Sequence, residues 1–156
     1  MSSRTDKWGT PTDVFKRLDE KFHFDVDVCA DETNHKCEVY FNEEQDGLKQ
    51  DWTKYNSVYM NPPYGRHMYA WMEKIYKTSR EGGGTCVCCI PCRTDAKWMY
   101  FVMMASEVWL IKGRLHYNDS KDGAPFPSCI VIYRPKEDYT KPPIFHWVNQ
   151  DMEIII

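Results

Sequence analysis

The sequence of this 156-residue chain predicts an α/β fold, with a mostly parallel sheet and an antiparallel strand near the C-terminus. Two observations carry that expectation. Short apolar runs with strand character alternate with amphipathic stretches of helical spacing. In addition, four chemically unusual segments each fall directly after a predicted strand: residues 27–31, 61–64, 91–95 and 113–114. Open α/β sheets bind ligands outside the carboxyl ends of their strands, so this convergence on one rim is what an active site should show. Loops are polar in any case, and that is the plainer explanation.

The elements follow in order. Residues 11–22 place Val14, Phe15, Leu18 and Phe22 at helical spacing, and Pro11 suits a first turn. Residues 23–29 alternate Phe24, Val26 and Val28 against acidic residues, a strand signal; 37–41 is a second short strand candidate. Residues 57–60 form a third strand, stopped by Pro62-Pro63, because proline offers no N–H to a ladder. A helix is predicted over 66–80, with Met68, Trp71, Met72 and Ile75 on one side, then a strand over 85–90. Residues 94–105 read as a helix with Thr94 or Asp95 as N-cap. Strands follow at 108–111 and 129–133, joined by a Gly/Pro-containing return over 118–127; residues 144–156 carry no clear pattern. No repeat, linker or low-complexity tract stands out, so one domain over 1–156 is expected, without a separate target-recognition domain.

Composition bounds the class. Hydrophobic residues at 42% and charged residues at 28% are ordinary for a globular protein. The net charge of −3 is not the footprint of a tight stand-alone nucleic-acid binder, although Arg66, His67, Arg93, Lys97, Lys112 and Arg114 lie near the unusual segments. Seven cysteines, an odd number, argue against a closed disulfide framework. The N-terminus is polar, with neither a secretory signal nor a run of membrane length, which fits a reducing cytoplasm. Cys86, Cys88, Cys89 and Cys92 invite a zinc reading, yet 86–90 is an apolar run that reads as a buried strand with cysteine as a small hydrophobe. No second paired knuckle accompanies it, so no metal is expected.

Asn61-Pro62-Pro63-Tyr64 is the most informative stretch. Two prolines at a strand end leave a rigid corner carrying an amide side chain, fixed carbonyls and an aromatic face. That set can hold a flat, amine-bearing group such as a nucleobase. A Pro-rich turn in which Tyr64 merely packs is the alternative.

With the tetrapeptide stand Trp8-Gly9-Thr10-Pro11, Phe24-Asp25-Val26-Asp27-Val28-Cys29-Ala30-Asp31, Asn34, Lys36-Cys37, Tyr40-Phe41, Asp46-Gly47-Leu48 and Asp51-Trp52. Beyond it come Ile90-Pro91-Cys92-Arg93-Thr94-Asp95, Gly113-Arg114-Leu115 and Ala124-Pro125-Phe126. In this order, from about Trp8 to Ile132, the chain resembles the phage Dam-like family of DNA N6-adenine methyltransferases. The resemblance implies a compact Rossmann-like fold that uses S-adenosylmethionine, and a phage protein acting on double-stranded DNA in the bacterial host cytoplasm. It assigns catalysis to Asn61, Pro62, Pro63 and Tyr64. Acceptors on the two N6 hydrogens, here Asn61 Oδ1 and the Pro62 carbonyl, redirect a delocalised lone pair and stabilise the charge that nitrogen gains. Tyr64 would stack on a base flipped out of the duplex.

For the cofactor, the resemblance points to Trp8, Thr10 and Pro11, to Asp27, Cys29, Ala30 and Asp31, and to Asp51 with Trp52. The stretch over 27–31 lacks the glycines common after the first strand of methyltransferases; small Cys29 and Ala30 stand in their place. Asp27 or Asp31 would bond the methionine amine or the ribose; Asp51 would accept from the cofactor's adenine, with Trp52 on its face. The structural alternatives are Asp27 as a cap, Trp52 as core and Thr10-Pro11 as a helix start. Arg66, Arg93 and Arg114 are the candidate DNA contacts. A catalytically silent relative that only binds DNA or a partner stays open, as does an RNA or protein amide methyltransferase, since fold alone does not separate these substrates.

Overall fold

Pairing along the central strand organises the molecule. The structure is a computed structural model and describes residues 7–135, 138 and 140–156. Strands β1 (Val26–Asp27), β2 (Ser57–Met60), β3 (Thr85–Pro91), β4 (Glu107–Ile111), β5 (Ser128–Tyr133) and β6 (Ile144–Val148) form one sheet in the order β1-β2-β3-β5-β4-β6. The β1–β2, β2–β3 and β4–β6 pairs are parallel, while β5 is antiparallel to both neighbours. Five strands therefore run one way and β5 alone runs back, as the predicted antiparallel strand near the C-terminus required.

Helix α1 (Thr12–Phe22) covers one face of the sheet, with Phe15 edge-on to Tyr59 at 5.0 Å and Phe22 beside Trp109 at 6.0 Å. Val14 and Leu18 of α1 are buried, each worth about 1.5–3 kcal/mol of removed apolar surface. Helices α2 (Met68–Arg80) and α3 (Met99–Val102) cover the opposite face. Tyr133, whose side chain alternates to that face, donates its hydroxyl to the Phe101 carbonyl at 2.7 Å. Cys86, Cys88 and Cys89 are fully buried in β3. Among the described residues no three His, Cys, Asp or Glu side chains gather as a metal site, and no helix is long and apolar enough to cross a membrane.

Three predicted elements need correction. The strand over 23–29 pairs only at Val26 and Asp27. His23 is a left-handed C-cap of α1, and the Phe24 N–H is held by the Asp19 carboxylate, so both belong to the helix exit. The candidate over 37–41 reduces to a single bridge, Tyr40 against Asp27. The helix over 94–105 is one turn, Met99–Val102, with Thr94 and Asp95 exposed in a turn before it. Hydrogen bonds from Ala96 to Arg93, Met99 to Ala96 and Phe101 to Trp98 span three residues, so this segment winds as successive tight turns. The tail without a clear pattern forms β6, and Ile154 bridges back onto Val148.

Candidate active site

The carboxyl ends of β1, β2, β3 and β4 and the start of β5 form one rim, because Pro91 at the end of β3 pairs with Ser128 at the start of β5. Asn61 follows β2 directly. Its side-chain amide is clamped: Nδ2 donates to the Trp8 carbonyl, and Oδ1 accepts from the Tyr64 hydroxyl at 3.0 Å. The two bonds fix which way round the amide lies. No hydrogen bond from a described residue reaches the Pro62 carbonyl. Both expected acceptors thus stand at one strand end, and Asn61 Oδ1 keeps a lone pair beyond the one Tyr64 uses.

Tyr64 is 7% exposed and turns its hydroxyl inward. Besides Asn61, that hydroxyl reaches the Cys89 carbonyl at 3.1 Å and the Tyr117 hydroxyl at 3.3 Å. The Tyr64 ring meets Tyr117 and Phe126 edge-to-face, at 6.0 and 5.7 Å. Burial pushes both tyrosine hydroxyls well above their usual range, so both stay protonated. Beside them opens a cleft of about 370 Å³ lined by Trp8, Tyr64, Gly65, Met68, Pro91, Arg93, Trp98, Pro125 and Phe126. That is the size and aromatic lining of a small-molecule pocket. Asn61 is bonded to two of its walls, Trp8 and Tyr64. A larger cleft, about 460 Å³, lies between Lys21, Phe22, Trp109, Arg134, Met152, Glu153 and Ile154 and takes in none of the rim residues.

The N-terminal segment reaches this site because 118–119 pin it. Asn118 Oδ1 accepts the Gly9 N–H at 2.8 Å, and the Asn118 N–H returns to the Gly9 carbonyl at 2.7 Å. Asp119 accepts the Thr12 N–H and hydroxyl at 2.9 and 2.7 Å, capping α1 from outside its own sequence. Pro11, the residue at the cap position, has no side-chain acceptor to do this. Asn118 and Asp119 both adopt positive φ, 58° and 54°, which Asn and Asp tolerate best among side-chain-bearing residues. The residue types of 118–119 were the available signal for this clamp, and pattern reasoning passed over them. Tyr117 and Ser128 gave no such signal.

The other candidate residues divide by exposure. Thr10 is 1% exposed, and its hydroxyl is spent on the Tyr59 hydroxyl, while Trp8 and the buried Pro11 flank it. Asp27, 2% exposed, is not a helix cap: its carboxylate accepts the Cys29 and Lys36 N–H groups and so ties the 29–36 loop to the strand end. Burial raises its pKa to about 6. Cys29 and Ala30 are half-buried beyond it, and burial pushes the Cys29 thiol to about 12, so it is no thiolate. Asp31 closes a turn, accepting from Thr33 and Asn34.

Asp51 is exposed, and the Thr53 hydroxyl and N–H hold its pKa below the usual value. Trp52 is 1% exposed and stacks on Trp71 at 6.2 Å, with its indole N–H bonded to the Gly47 carbonyl. It is a core residue here and presents no ring face outward. Gly47 is required at that position: a Cβ would overlap the Val28 carbonyl at the end of β1 and touch the Trp71 ring at 3.0 Å. This close approach sets the loop carrying Asp51 beside the 28–31 segment. Arg66, Arg93 and Arg114 are all exposed around the rim, and the Arg93 guanidinium lies 5.5 Å from the Phe126 ring centre. No ion pair joins Arg114 to a carboxylate among the described residues.

An α/β sheet with one reversed strand and a strand-end Asn-Pro-Pro-Tyr corner defines a methyltransferase-type fold. The methyltransferase subunit of a type I restriction-modification system from Streptococcus thermophilus superposes on 95% of this chain with a TM-score of 0.54, at 13% identity and over 48% of its own length. The chain belongs to the DNA N-6-adenine-methyltransferase (Dam) family, whose profile matches residues 1–153. The DNA N-6-adenine-methyltransferase of Haemophilus phage HP1 is 29% identical over 146 residues, covering 88% of this chain and 83% of the relative. The protein of the same name from Escherichia phage T1 is 39% identical over 62 residues, which span 39% of this chain and 26% of the T1 protein. A putative methyltransferase of Escherichia coli K12, YfdM, is 30% identical over 67 residues, 42% of this chain and 74% of that one.

Proposed function

We propose that this chain transfers a methyl group from S-adenosylmethionine to N6 of an adenine flipped out of double-stranded DNA. The observation that carries the reading is the clamped Asn61 amide at the strand end, its Nδ2 bonded to Trp8 and its Oδ1 to Tyr64, two residues that line an aromatic cleft. Pure binding needs no such acceptor. The cofactor supplies an electrophilic sulfonium methyl. The residues present fit it: exposed Asp51 and half-buried Asp31 are carboxylate acceptors on the loops around the end of β1, and half-buried Cys29 and Ala30 leave little side chain between a ligand and the backbone. Trp8, Thr10, Pro11 and Asp27 shape this end of the rim from below, and Trp52 supports the Asp51 loop from within the core.

Asn61 Oδ1 and the Pro62 carbonyl accept the amine hydrogens and stabilise charge as it develops on nitrogen; their fixed positions remove reorganisation from the reacting state. Pro63 stiffens the corner. Tyr64, Trp8 and Phe126 give the base an apolar enclosure, and Arg66, Arg93 and Arg114 ring it with positive charge for phosphates. On this reading a single domain reads its DNA through loops of the rim, in the cytoplasm of a bacterial host. Methyl transfer to duplex DNA, with the product identified as N6-methyladenine, tests the proposal.

A further inference from the structure

Among the described residues, one charged side chain lines the aromatic cleft beside Asn61. Arg93 stands there with Trp8, Tyr64, Met68, Trp98 and Phe126, two prolines and a glycine. Arg66 and Arg114, the other two rim arginines, line neither cleft described above. The Arg93 backbone is fixed. Cys92 before it donates its N–H to the Pro127 carbonyl at 2.8 Å; the Arg93 N–H reaches the Pro91 carbonyl at 3.1 Å, and the Arg93 carbonyl accepts the Ala96 N–H at 3.2 Å. The residue is exposed, and its guanidinium lies over the Phe126 ring, 5.5 Å from the centre, while Phe126 itself is 5% exposed. Its side chain pairs with no carboxylate among the described residues. The cleft thus offers apolar walls that suit a flat base, and a single cation on its solvent side.

We propose that Arg93 is the phosphate anchor of the target nucleotide: the aromatic cleft takes the base, and the Arg93 guanidinium swings from Phe126 to grip a phosphate directly flanking that base. Resting on the function proposed above, this gives Arg93 a task separate from that of Arg66 and Arg114, which meet phosphates elsewhere on the duplex. A guanidinium matches phosphate oxygens with two parallel N–H bonds, and the fixed backbone at residues 91–96 gives the movable side chain a firm base. Charge supplies a second reason. The amine nitrogen gains positive charge as the methyl arrives, and a guanidinium left against the cleft wall would oppose it, the more so where water is excluded. Drawn to a phosphate, the cation is neutralised and the Phe126 face is free for the base. The structural alternative is a solvated rim charge that merely rests on Phe126 as a cation–π contact.

The experiment fills the cofactor site with S-adenosylhomocysteine. It then titrates the protein with deoxyadenosine and with deoxyadenosine 3′,5′-bisphosphate, which carries both phosphates that flank an adenine in a strand. Binding is read from the indole N–H resonances of Trp8 and Trp98, two walls of the cleft, assigned by their loss in Trp8→Phe and Trp98→Phe. Wild type should bind the bisphosphate about tenfold more tightly than the nucleoside, the worth of a charge-assisted contact. Arg93→Ala should abolish that preference at unchanged affinity for deoxyadenosine, and Arg93→Lys should keep part of it. Arg66→Ala and Arg114→Ala should each keep it whole. Equal affinities in wild type, a preference that survives Arg93→Ala, one lost equally in Arg114→Ala, or indole signals that neither ligand moves each overturn the anchor. A wild-type protein that shows the Arg93-dependent preference but methylates no DNA overturns the proposed function and leaves the anchor standing as part of a nucleotide site.

Discussion

Asp119→Ala should loosen the start of α1 and the N-terminal segment together. Asp119 supplies both hydrogen bonds that cap the helix, at 2.9 Å to the Thr12 N–H and 2.7 Å to its hydroxyl. Losing a cap acceptor costs about 1 kcal/mol at an exposed site. Losing a carboxylate at the positive end of a helix adds about 0.5 kcal/mol. The sum, about 1.5 kcal/mol, corresponds to a fall in Tm of roughly 3–6 °C for a domain of this size. Asp119→Asn keeps an acceptor and should lose less. The Thr12 hydroxyl and N–H hold the Asp119 carboxyl below its usual 3.8 in the folded state. Its contribution is therefore present above about pH 3.8 and disappears as pH falls through the lower, folded value. Calorimetric melts of wild type and variant should differ at neutral pH and converge in acid. An Asp119→Ala protein that melts with wild type at pH 7, or a gap that persists unchanged at acid pH, would refute the cap.

The remaining predictions concern the rim. Asn61→Ala should lower kcat by at least about a hundredfold, the effect of losing one transition-state acceptor, while calorimetry finds cofactor affinity largely intact. Wild-type turnover would remove Asn61 from the chemistry. Asp51→Ala should weaken S-adenosylmethionine binding by about tenfold or more, the worth of a charge-assisted acceptor, with a smaller effect on turnover at saturation. Unchanged affinity would leave Asp51 as the turn-former it already is for Thr53. Arg114→Ala should weaken binding to all duplexes alike and flatten the salt dependence by about one if the side chain grips a phosphate. A loss confined to the preferred site would instead mark a base contact. No change in either quantity would place Arg114 outside the interface.

The parts of the fold legible in the sequence are those where local pattern and tertiary packing agree. Strand β2 ends where Pro62-Pro63 ends it, and Val14, Phe15, Leu18 and Phe22 turn inward as their spacing required. Pattern misled where one side chain took over the backbone's bonding. Asp19 captured the Phe24 N–H, which shortened the predicted strand over 23–29. The segment 94–105 has helical spacing of Trp98, Phe101 and Val102, which tight three-residue turns also satisfy.

At the site, the tetrapeptide and its neighbours were legible, because strand-end position follows from strand order. Less visible was how much of each side chain is already committed to the protein. Thr10 and Asp27 are bonded inward and Trp52 is buried, and the segment carrying Thr10 is itself held by Asn118, 109 positions from Gly9. Burial of that kind depends on packing across the whole sheet, and no single stretch of sequence encodes it.

The most direct test incubates the purified protein with S-adenosylmethionine labelled in its methyl group and offers duplex DNA, RNA and protein in parallel, followed by nucleoside and amino-acid analysis. The account predicts label in duplex DNA alone, recovered as N6-methyladenine and abolished in Asn61→Ala. Label recovered in RNA or in a protein amide, or no transfer to DNA from a protein that binds the cofactor, would contradict it.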